Sequence, residues 1–290
     1  MKRFNINSHI LDGAIKLACT MYKSALTNYM KGNINSFRIR PIKQTKKTKI
    51  LDLEQCYFYN EGFCKKILGK METTNNFNFN EINHDCKLQY NSLNNRFTLF
   101  VPYEKESIEN NNKNFISIDP GLKTFLTGIS TDKVHNIGTN LINTIKTNLN
   151  KINNKKTRKS INKIKENNYN LITDLHWKSI NYLIKTIRVK YIFLGNWSTK
   201  NISSIKGNLK SIYKRIASSL RFYEFIQKLK FKCEEYNIKL IMIDESYTSK
   251  ICSFCKKISN IGINRKLSCC SLKLDRDLNG CINILLKGIH

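Results

Sequence analysis

Residues 240–255 read LIMIDESYTSKICSFC, a stretch that joins an apolar run to two acids and then to a pair of cysteines. The apolar run predicts a short buried strand. Asp244 and Glu245 follow at its end, and Cys252 and Cys255 have the spacing of half a zinc site. One interpretation is a strand that meets a polar turn beside incidental cysteines. The other is that an acid at this strand end is a ligand in an active site. The sequence outside this stretch distinguishes the two interpretations.

The charge of the chain favours a polyanionic partner. It has 290 residues, with 50 Lys and Arg against 21 Asp and Glu, a formal net charge of +29. Such a charge points first to nucleic acid. The N-terminus MKRFNINSHI has neither a lipidation signal nor an apolar signal-peptide core, and no apolar run is long enough to span a membrane, so we expect no membrane partner. We expect an intracellular, reducing location, where clustered cysteines indicate metal binding.

Strand-like segments alternate with helical segments after residue 114, which predicts an α/β domain over 115–290 with parallel strands. Apolar residues spaced by threes and fours predict one amphipathic helix over 209–235 and another over 171–188. The apolar segments FISID and LIMI read as core strands.

The region before residue 114 has a different pattern. Apolar spacing predicts a helix over 8–31, and alternating segments around an Asn-rich turn predict a hairpin over 86–103. We therefore expect a smaller α+β region over 1–114, with a linker at 110–117.

Three acids share one context, since each lies at the end of an apolar strand or the start of a helix. Asp119 ends FISID before Pro-Gly, Glu245 ends LIMIDE, and Asp277 lies in DRDLNG at the start of the last helix. Because strand side chains alternate, Asp244 and Glu245 should point to opposite faces. Asp275, two residues before Asp277, is the alternative candidate for the third acid.

Carboxylates at the ends of core strands are seldom left there unless they are paired or bind metal. Converging acids repel one another, and a pair of divalent cations relieves that repulsion and suits phosphodiester cleavage. Any one of these acids alone is more simply a helix cap or a solvated strand end. Together, in so basic a chain, they favour a metal site.

The cysteines after the acids indicate a structural zinc site. Cys252, Cys255, Cys269 and Cys270 offer four thiolates, in a knuckle expected at about residues 250–273. The last two are adjacent, so both can reach one ion only with backbone strain. The alternative is a degenerate knuckle that no longer holds zinc well.

Three segments of the sequence resemble those of a known protein family. The segments IDPGLKTFLTG, DESYTSKICSFC and SCCSLKLDRDLNGCINIL resemble, in order, the catalytic segments and zinc insertion of the RuvC-like nuclease domain in transposon-encoded TnpB and Fanzor proteins. The resemblance extends more loosely through the N-terminal part. It implies an RNase H-like core with a zinc knuckle, preceded by a nucleic-acid-binding region of the wedge and recognition type. It also implies RNA-guided cleavage of DNA by three acids with Mg²⁺.

Two departures from the family pattern matter. Most TnpB proteins place the middle acid on an earlier strand, where this chain has Gly195 in YIFLGNWS. Fanzor proteins and some relatives place it later, as Glu245 would be. The resemblance thus implies a triad of Asp119, Glu245 and Asp277 and favours the Fanzor-like branch. The chain is also shorter than the family's usual length, which leaves truncation, decay and unusual compactness open.

The implied partners are a guide RNA and a DNA target, inside the nucleus or cytoplasm of a host cell, with a virus-encoded origin among the possibilities. Guide pairing would read the sequence, while cations hold the phosphate backbones. Two alternatives stay open: a catalytically inactive nucleic-acid-binding remnant of the family, and a DNA transposase that uses the same acids. The basic stretches 43–49 and 151–165 are the candidate backbone contacts, unless they are merely solvated lysine runs: Lys43, Lys46, Lys47, Lys49, Lys155, Lys156, Arg158 and Lys159.

Overall fold

The polypeptide divides between Lys105 and Glu106 into two units. The predicted boundary at residue 114 coincides with the first residue of a strand in the second unit. No helix among the residues described is long and apolar enough to cross a membrane. The computed structural model describes residues 8–41, 48–60, 62–65, 72, 74, 77–92, 95–155, 157–196, 210–258, 266–270 and 272–289.

The first unit combines a long helix with a small antiparallel sheet. The helix predicted over 8–31 is present as α1, Ser8–Met30. The predicted hairpin is present as β4 and β5, and β1 pairs with β4 on the other side. A small core lies beneath these strands and includes Leu53, Phe63 and Phe79. The strands are β1 Thr48–Leu53, β2 Phe58–Tyr59, β3 Gly62–Phe63, β4 Cys86–Asn91 and β5 Arg96–Phe100.

The second unit is built around a five-stranded mixed sheet with the strand order β10-β9-β6-β7-β8. Strands β6, β9 and β10 are parallel, β7 pairs antiparallel with β6, and β8 pairs antiparallel with β7 at the edge of the sheet. This mixed α/β arrangement is consistent with a RuvC-like fold. The strands are β6 Asn114–Pro120, β7 Leu126–Ser130, β8 Val134–Ile137, β9 Val189–Gly195, β10 Lys239–Ile243, and the separate hairpin β11 Lys266–Cys269 and β12 Leu272–Asp275.

The helices of this unit cover both faces of the sheet. They are α2 Thr139–Asn153, α3 Arg158–Asn181, α4 Ser211–Leu220, α5 Phe222–Glu235 and α6 Arg276–Ile289. Ile116 and Ile118 face the core beneath α2 to α5, whereas Phe193 and Ile243 pack with Ile284 of α6 on the other face. Because side chains alternate along a strand, Asp119 of β6 lies on the α6 face.

Two helix predictions were wrong in their bounds. The helix expected over 209–235 is interrupted at Arg221, whose φ of 49° is left-handed. The Arg221 guanidinium binds the carbonyl of Tyr169, the Thr173 hydroxyl and the carboxylate of Glu224, and these contacts offset the cost of the break. The helix expected over 171–188 is the second half of α3, and a π-helical turn at Tyr182–Ile187 follows it.

Candidate active site and cysteine cluster

The three predicted acids come from three different elements. Asp119 is in β6, and Asp277 is the second residue of α6. Glu245 lies two residues beyond β10, since that strand ends at Ile243 and not at the acid, as the sequence suggested. The parallel register pairs Ile243 with Gly195, so the ends of β9 and β10 are neighbours.

Two of these acids act on the pKa of the third. Burial raises the pKa of Asp119 well above its usual range, and the carboxylates of Glu245 and Asp277 raise it further, while Arg276 opposes them. Burial, and after it the charge of Asp244, raise the pKa of Glu245 to about 7. The fold therefore brings the three predicted carboxylates within electrostatic reach, where a divalent cation would favour their ionised forms.

The Glu245 carboxylate occupies the space beside the end of β9. A methyl group on Gly195 would lie 2.2 Å from Oε1 and 2.9 Å from Cδ of Glu245. Oε1 is buried and has no hydrogen-bond partner among the described residues. A buried carboxylate oxygen without a donor is costly, and it has the chemistry of a cation ligand. The Glu245 carboxylate thus fills the space that a side chain at position 195 would take, and its unpaired Oε1 could serve as a cation ligand.

The neighbouring acids do not join this group. Asp244 is exposed, and its carboxylate accepts hydrogen bonds from the backbone N–H and hydroxyl of Ser246. These bonds lower its pKa, Ser246 being the main cause. The Asp275 carboxylate is also exposed and accepts from the backbone N–H of Asp277, as a helix cap does.

Sequence reasoning missed Gly280, although it lies in the DRDLNG segment. A methyl group on Gly280 would lie 2.6 Å from Oδ2 of Asp119, so only glycine lets α6 approach this carboxylate. A glycine inside an amphipathic helix was the available signal, because such glycines often have a packing reason.

The four predicted cysteines come together in space. Their sulfur atoms all lie within 4.8 Å of one another, an arrangement that could hold a zinc ion. The four residues are Cys252, Cys255, Cys269 and Cys270. The Sγ atoms of Cys255 and Cys269, and of Cys269 and Cys270, are each 3.5 Å apart. Tetrahedral zinc with Zn–S bonds of about 2.3 Å separates its sulfur ligands by about 3.8 Å. The cluster therefore fits zinc.

The adjacency of the last two cysteines is accommodated by the backbone. Cys270 has a φ of 54°, in the left-handed region, and it follows directly after β11. This turn lets the thiols of Cys269 and Cys270 face the same point. The left-handed backbone at Cys270 is the strain that was expected for two adjacent ligands. Hydrogen bonds, first from the Cys270 thiol and then from the backbone of Lys257, lower the pKa of Cys255 to about 7. Hydrogen bonds to Cys255 and Cys269 raise the pKa of Cys270 to about 12, so the cluster favours a thiolate first at Cys255.

The carboxylates are gathered less tightly than the sulfurs. Within the part of the chain that the structure describes, the cysteines alone form a group of three or more possible ligands that all lie within 4.8 Å of one another.

Known proteins match this chain along most of its length. TnpB-like protein L770 of Acanthamoeba polyphaga mimivirus is 35% identical over 309 residues, which cover 98% of this chain and 58% of that protein. The chain belongs to the TnpB family. It spans little more than half the length of this TnpB-like relative.

Three other similarities cover smaller parts of the chain. The family model described as "Cas12f1-like, TNB domain" matches residues 222–284. The CRISPR-associated endodeoxyribonuclease Cas12f1 of Sulfoacidibacillus thermotolerans is 35% identical over 86 residues, 28% of this chain and 20% of that protein. A cryo-EM structure of the Cas12f1–sgRNA–target DNA complex is similar over 69% of this chain and 45% of that one, with 16% identity and a TM-score of 0.48.

The basic candidates of this TnpB-family chain lie apart from the acids in sequence. Lys49 is exposed in β1, Lys155 follows α2, and Arg158 and Lys159 are exposed at the start of α3. Their contacts with nucleic acid stay a prediction. Four further candidates lie outside the described residues: Lys43, Lys46, Lys47 and Lys156.

We expect purified protein to carry about one zinc ion per chain, because the sulfur geometry fits tetrahedral coordination. Cys252, fully buried in the cluster, is the ligand to test. Cys252→Ser should lose most of the zinc and expose residues 250–258 to hydrogen exchange, whereas Cys19→Ser, at an exposed thiol of α1, should change neither. Elemental analysis and exchange mass spectrometry measure both. Freshly purified, reduced wild type without zinc would favour the degenerate knuckle.

Proposed function

We propose that this chain is an RNA-guided, Mg²⁺-dependent DNA endonuclease of a transposable element, with the Fanzor-like arrangement of acids. The observation that carries the proposal is the position of Glu245, whose carboxylate lies against Gly195 and raises the pKa of Asp119. The end of β10 thereby supplies the acid that the end of β9 lacks. A chain that had merely lost the acid at 195 would leave that place without a carboxylate.

Each acid then has a role in holding metal. Asp119 and Glu245 would hold one or both Mg²⁺ ions, and Asp277 would complete the second position. The buried, unpartnered Oε1 of Glu245 supports this assignment. Bound Mg²⁺ would activate the attacking water and stabilise the leaving oxygen of the phosphodiester. Arg276, which already lowers the pKa of Asp119, would limit the repulsion among the acids before metal binds.

The charge of the chain supports nucleic acid as the partner. A net charge of +29 favours binding to phosphate backbones with a strong dependence on salt. The relative Cas12f1 is an endodeoxyribonuclease by name, and the family model described as "Cas12f1-like, TNB domain" matches residues 222–284, which include the cysteine cluster and part of α6. We therefore assign guide RNA and target DNA as the partners, with sequence read by pairing.

The proposal is tested by the nucleic acid that copurifies with the full chain. We expect a discrete structured RNA whose guide portion can be rewritten, so that a plasmid matching the new guide is cut in Mg²⁺ and left intact in EDTA. Sequencing of the RNA and mapping of the cut ends are the measurements. Binding without cleavage for any rewritten guide would favour the inactive remnant, and joined rather than cut DNA ends would favour a transposase.

A further inference from the structure

Two buried amides of α6 hold the turn that follows Glu245. Asn279 is fully buried and Asn283 is 5% exposed. The Asn283 side-chain amide donates to the carbonyl oxygens of Thr248 and Ile251 at 2.8 and 2.7 Å. The Asn279 amide donates to the same two carbonyls, at 3.4 and 2.8 Å. Both residues thus act on one short piece of backbone from successive turns of the helix.

Thr248 connects these amides to the acid. Its backbone N–H and its hydroxyl both donate to the carbonyl oxygen of Glu245, at 3.1 and 2.9 Å. Thr248 is buried, and its own carbonyl is the acceptor shared by Asn279 and Asn283. A continuous set of hydrogen bonds therefore runs from the core of α6 to the backbone of Glu245.

The same helix holds the turn at both of its ends. The Lys287 ammonium donates to the carbonyls of Asp244 and Ser246, on either side of Glu245, at 3.2 and 2.7 Å. At the other end, Oδ1 of Asn279 accepts from the backbone N–H of Ser253 at 2.9 Å, next to the first cysteine of the cluster.

The turn needs such support because the sheet no longer supplies it. Strand β10 ends at Ile243, whose carbonyl accepts from the backbone N–H of Asn196. Beyond this point the Glu245 carboxylate lies against Gly195, with Oε1 buried and without a hydrogen-bond partner among the described residues to hold it. Burying two amides is costly unless they satisfy fixed partners, and here they fix the backbone that carries the acid.

We propose that Asn279 and Asn283 are positioning residues for Glu245, which they hold at the metal site through Thr248. This inference rests on the proposed function, since it takes Glu245 to be a catalytic acid. Partners that orient metal ligands in this way commonly change metal affinity or activity by about 10–100-fold when removed.

The test uses the full chain with Asn279→Leu, Asn283→Leu and the double variant, since leucine keeps the approximate volume and removes the donors. Each single variant leaves one amide on the shared carbonyls, so we expect a small effect from each and a larger effect from both. The double variant should need about tenfold more Mg²⁺ for half-maximal cleavage, with unchanged affinity for guide RNA. Calorimetric binding of Ca²⁺ should weaken similarly, and amide exchange should rise over residues 244–253.

Asn110→Leu is the matched control. Asn110 is also buried, and its amide donates to the carbonyl of Val189 at the other end of the sheet. It should lower thermal stability without changing the Mg²⁺ requirement or the exchange of residues 244–253. If the double variant loses stability like this control but keeps the wild-type Mg²⁺ requirement and Ca²⁺ affinity, Asn279 and Asn283 are structural only and the inference is wrong.

The catalytic role of Glu245 is tested by a separate measurement. If Glu245→Gln cleaves as well as wild type, the assignment of Glu245 is wrong whatever the asparagine variants do. If Glu245→Gln is inactive and the double asparagine variant has normal Mg²⁺ and Ca²⁺ binding, only the positioning role is overturned.

Discussion

Glu245→Gln should reduce Mg²⁺-dependent cleavage by about a thousandfold or more. The change is nearly isosteric, yet it removes the charge that would hold the cation. A metal ion stabilises the transition state of such a reaction by several kcal/mol, and each 1.4 kcal/mol is about tenfold in rate. Affinity for guide RNA and for target DNA should change little, because Oε1 of Glu245 is buried against Gly195 and the residue lies outside the basic stretches predicted to contact phosphates. Cleavage kinetics and a binding titration, both with the cognate guide, measure the two effects.

Asp244→Asn is the matched control for this prediction. Asp244 is the adjacent residue, carries the same charge and is exposed, with its carboxylate bonded to Ser246. Its removal should leave appreciable cleavage, and Asp119→Asn should reproduce the loss seen at Glu245. A loss of similar size in Asp244→Asn would mean that local structure, and not the Glu245 charge, had been disturbed.

Moving the acid back to the end of β9 should restore part of the activity. We expect Gly195→Glu to rescue Glu245→Ala by at least about tenfold, because a side chain at 195 starts 2.2 Å from the place that the Glu245 carboxylate occupies. Tenfold requires only about 1.4 kcal/mol of the several that metal binding contributes. The measurement is the cleavage rate of the double variant relative to Glu245→Ala alone.

A second double variant distinguishes the effect of the space beside residue 195 from the effect of the carboxylate charge. Gly195→Glu in the Glu245→Gln background should give no rescue, since glutamine still fills the space against residue 195. Rescue in the glutamine background and none in the alanine background would show that the two strand ends do not share one place.

The larger elements of the fold could be predicted because each depends on the order of apolar and polar residues within its own segment. The apolar alternation of FISID and the spacing within residues 8–31 were enough for β6 and α1. The break at Arg221 was beyond such reasoning. Its left-handed backbone depends on hydrogen bonds to Tyr169 and Thr173, more than 40 residues away, which the amphipathic pattern does not contain.

The site shows the same division. The position of the acids at strand and helix ends predicted a shared site for Asp119, Glu245 and Asp277, and this assignment stays a prediction, with Glu245 and Asp277 both raising the pKa of Asp119 after burial. The buried amides of Asn279 and Asn283 gave no comparable signal, because an asparagine on a helix is usually exposed. The strain predicted for adjacent cysteines is present at Cys270, but its left-handed turn is a tertiary outcome.

The assignment of Glu245 as a metal ligand is tested most directly by the ratio of single-turnover cleavage rates of Glu245→Gln and Asp244→Asn, measured in Mg²⁺ on guide complexes shown to bind target equally. We expect a ratio of about one to a thousand or lower, since only the Glu245 carboxylate lies against the end of β9 and raises the pKa of Asp119. A ratio near one, with both variants as active as wild type, would contradict it and place the third acid elsewhere.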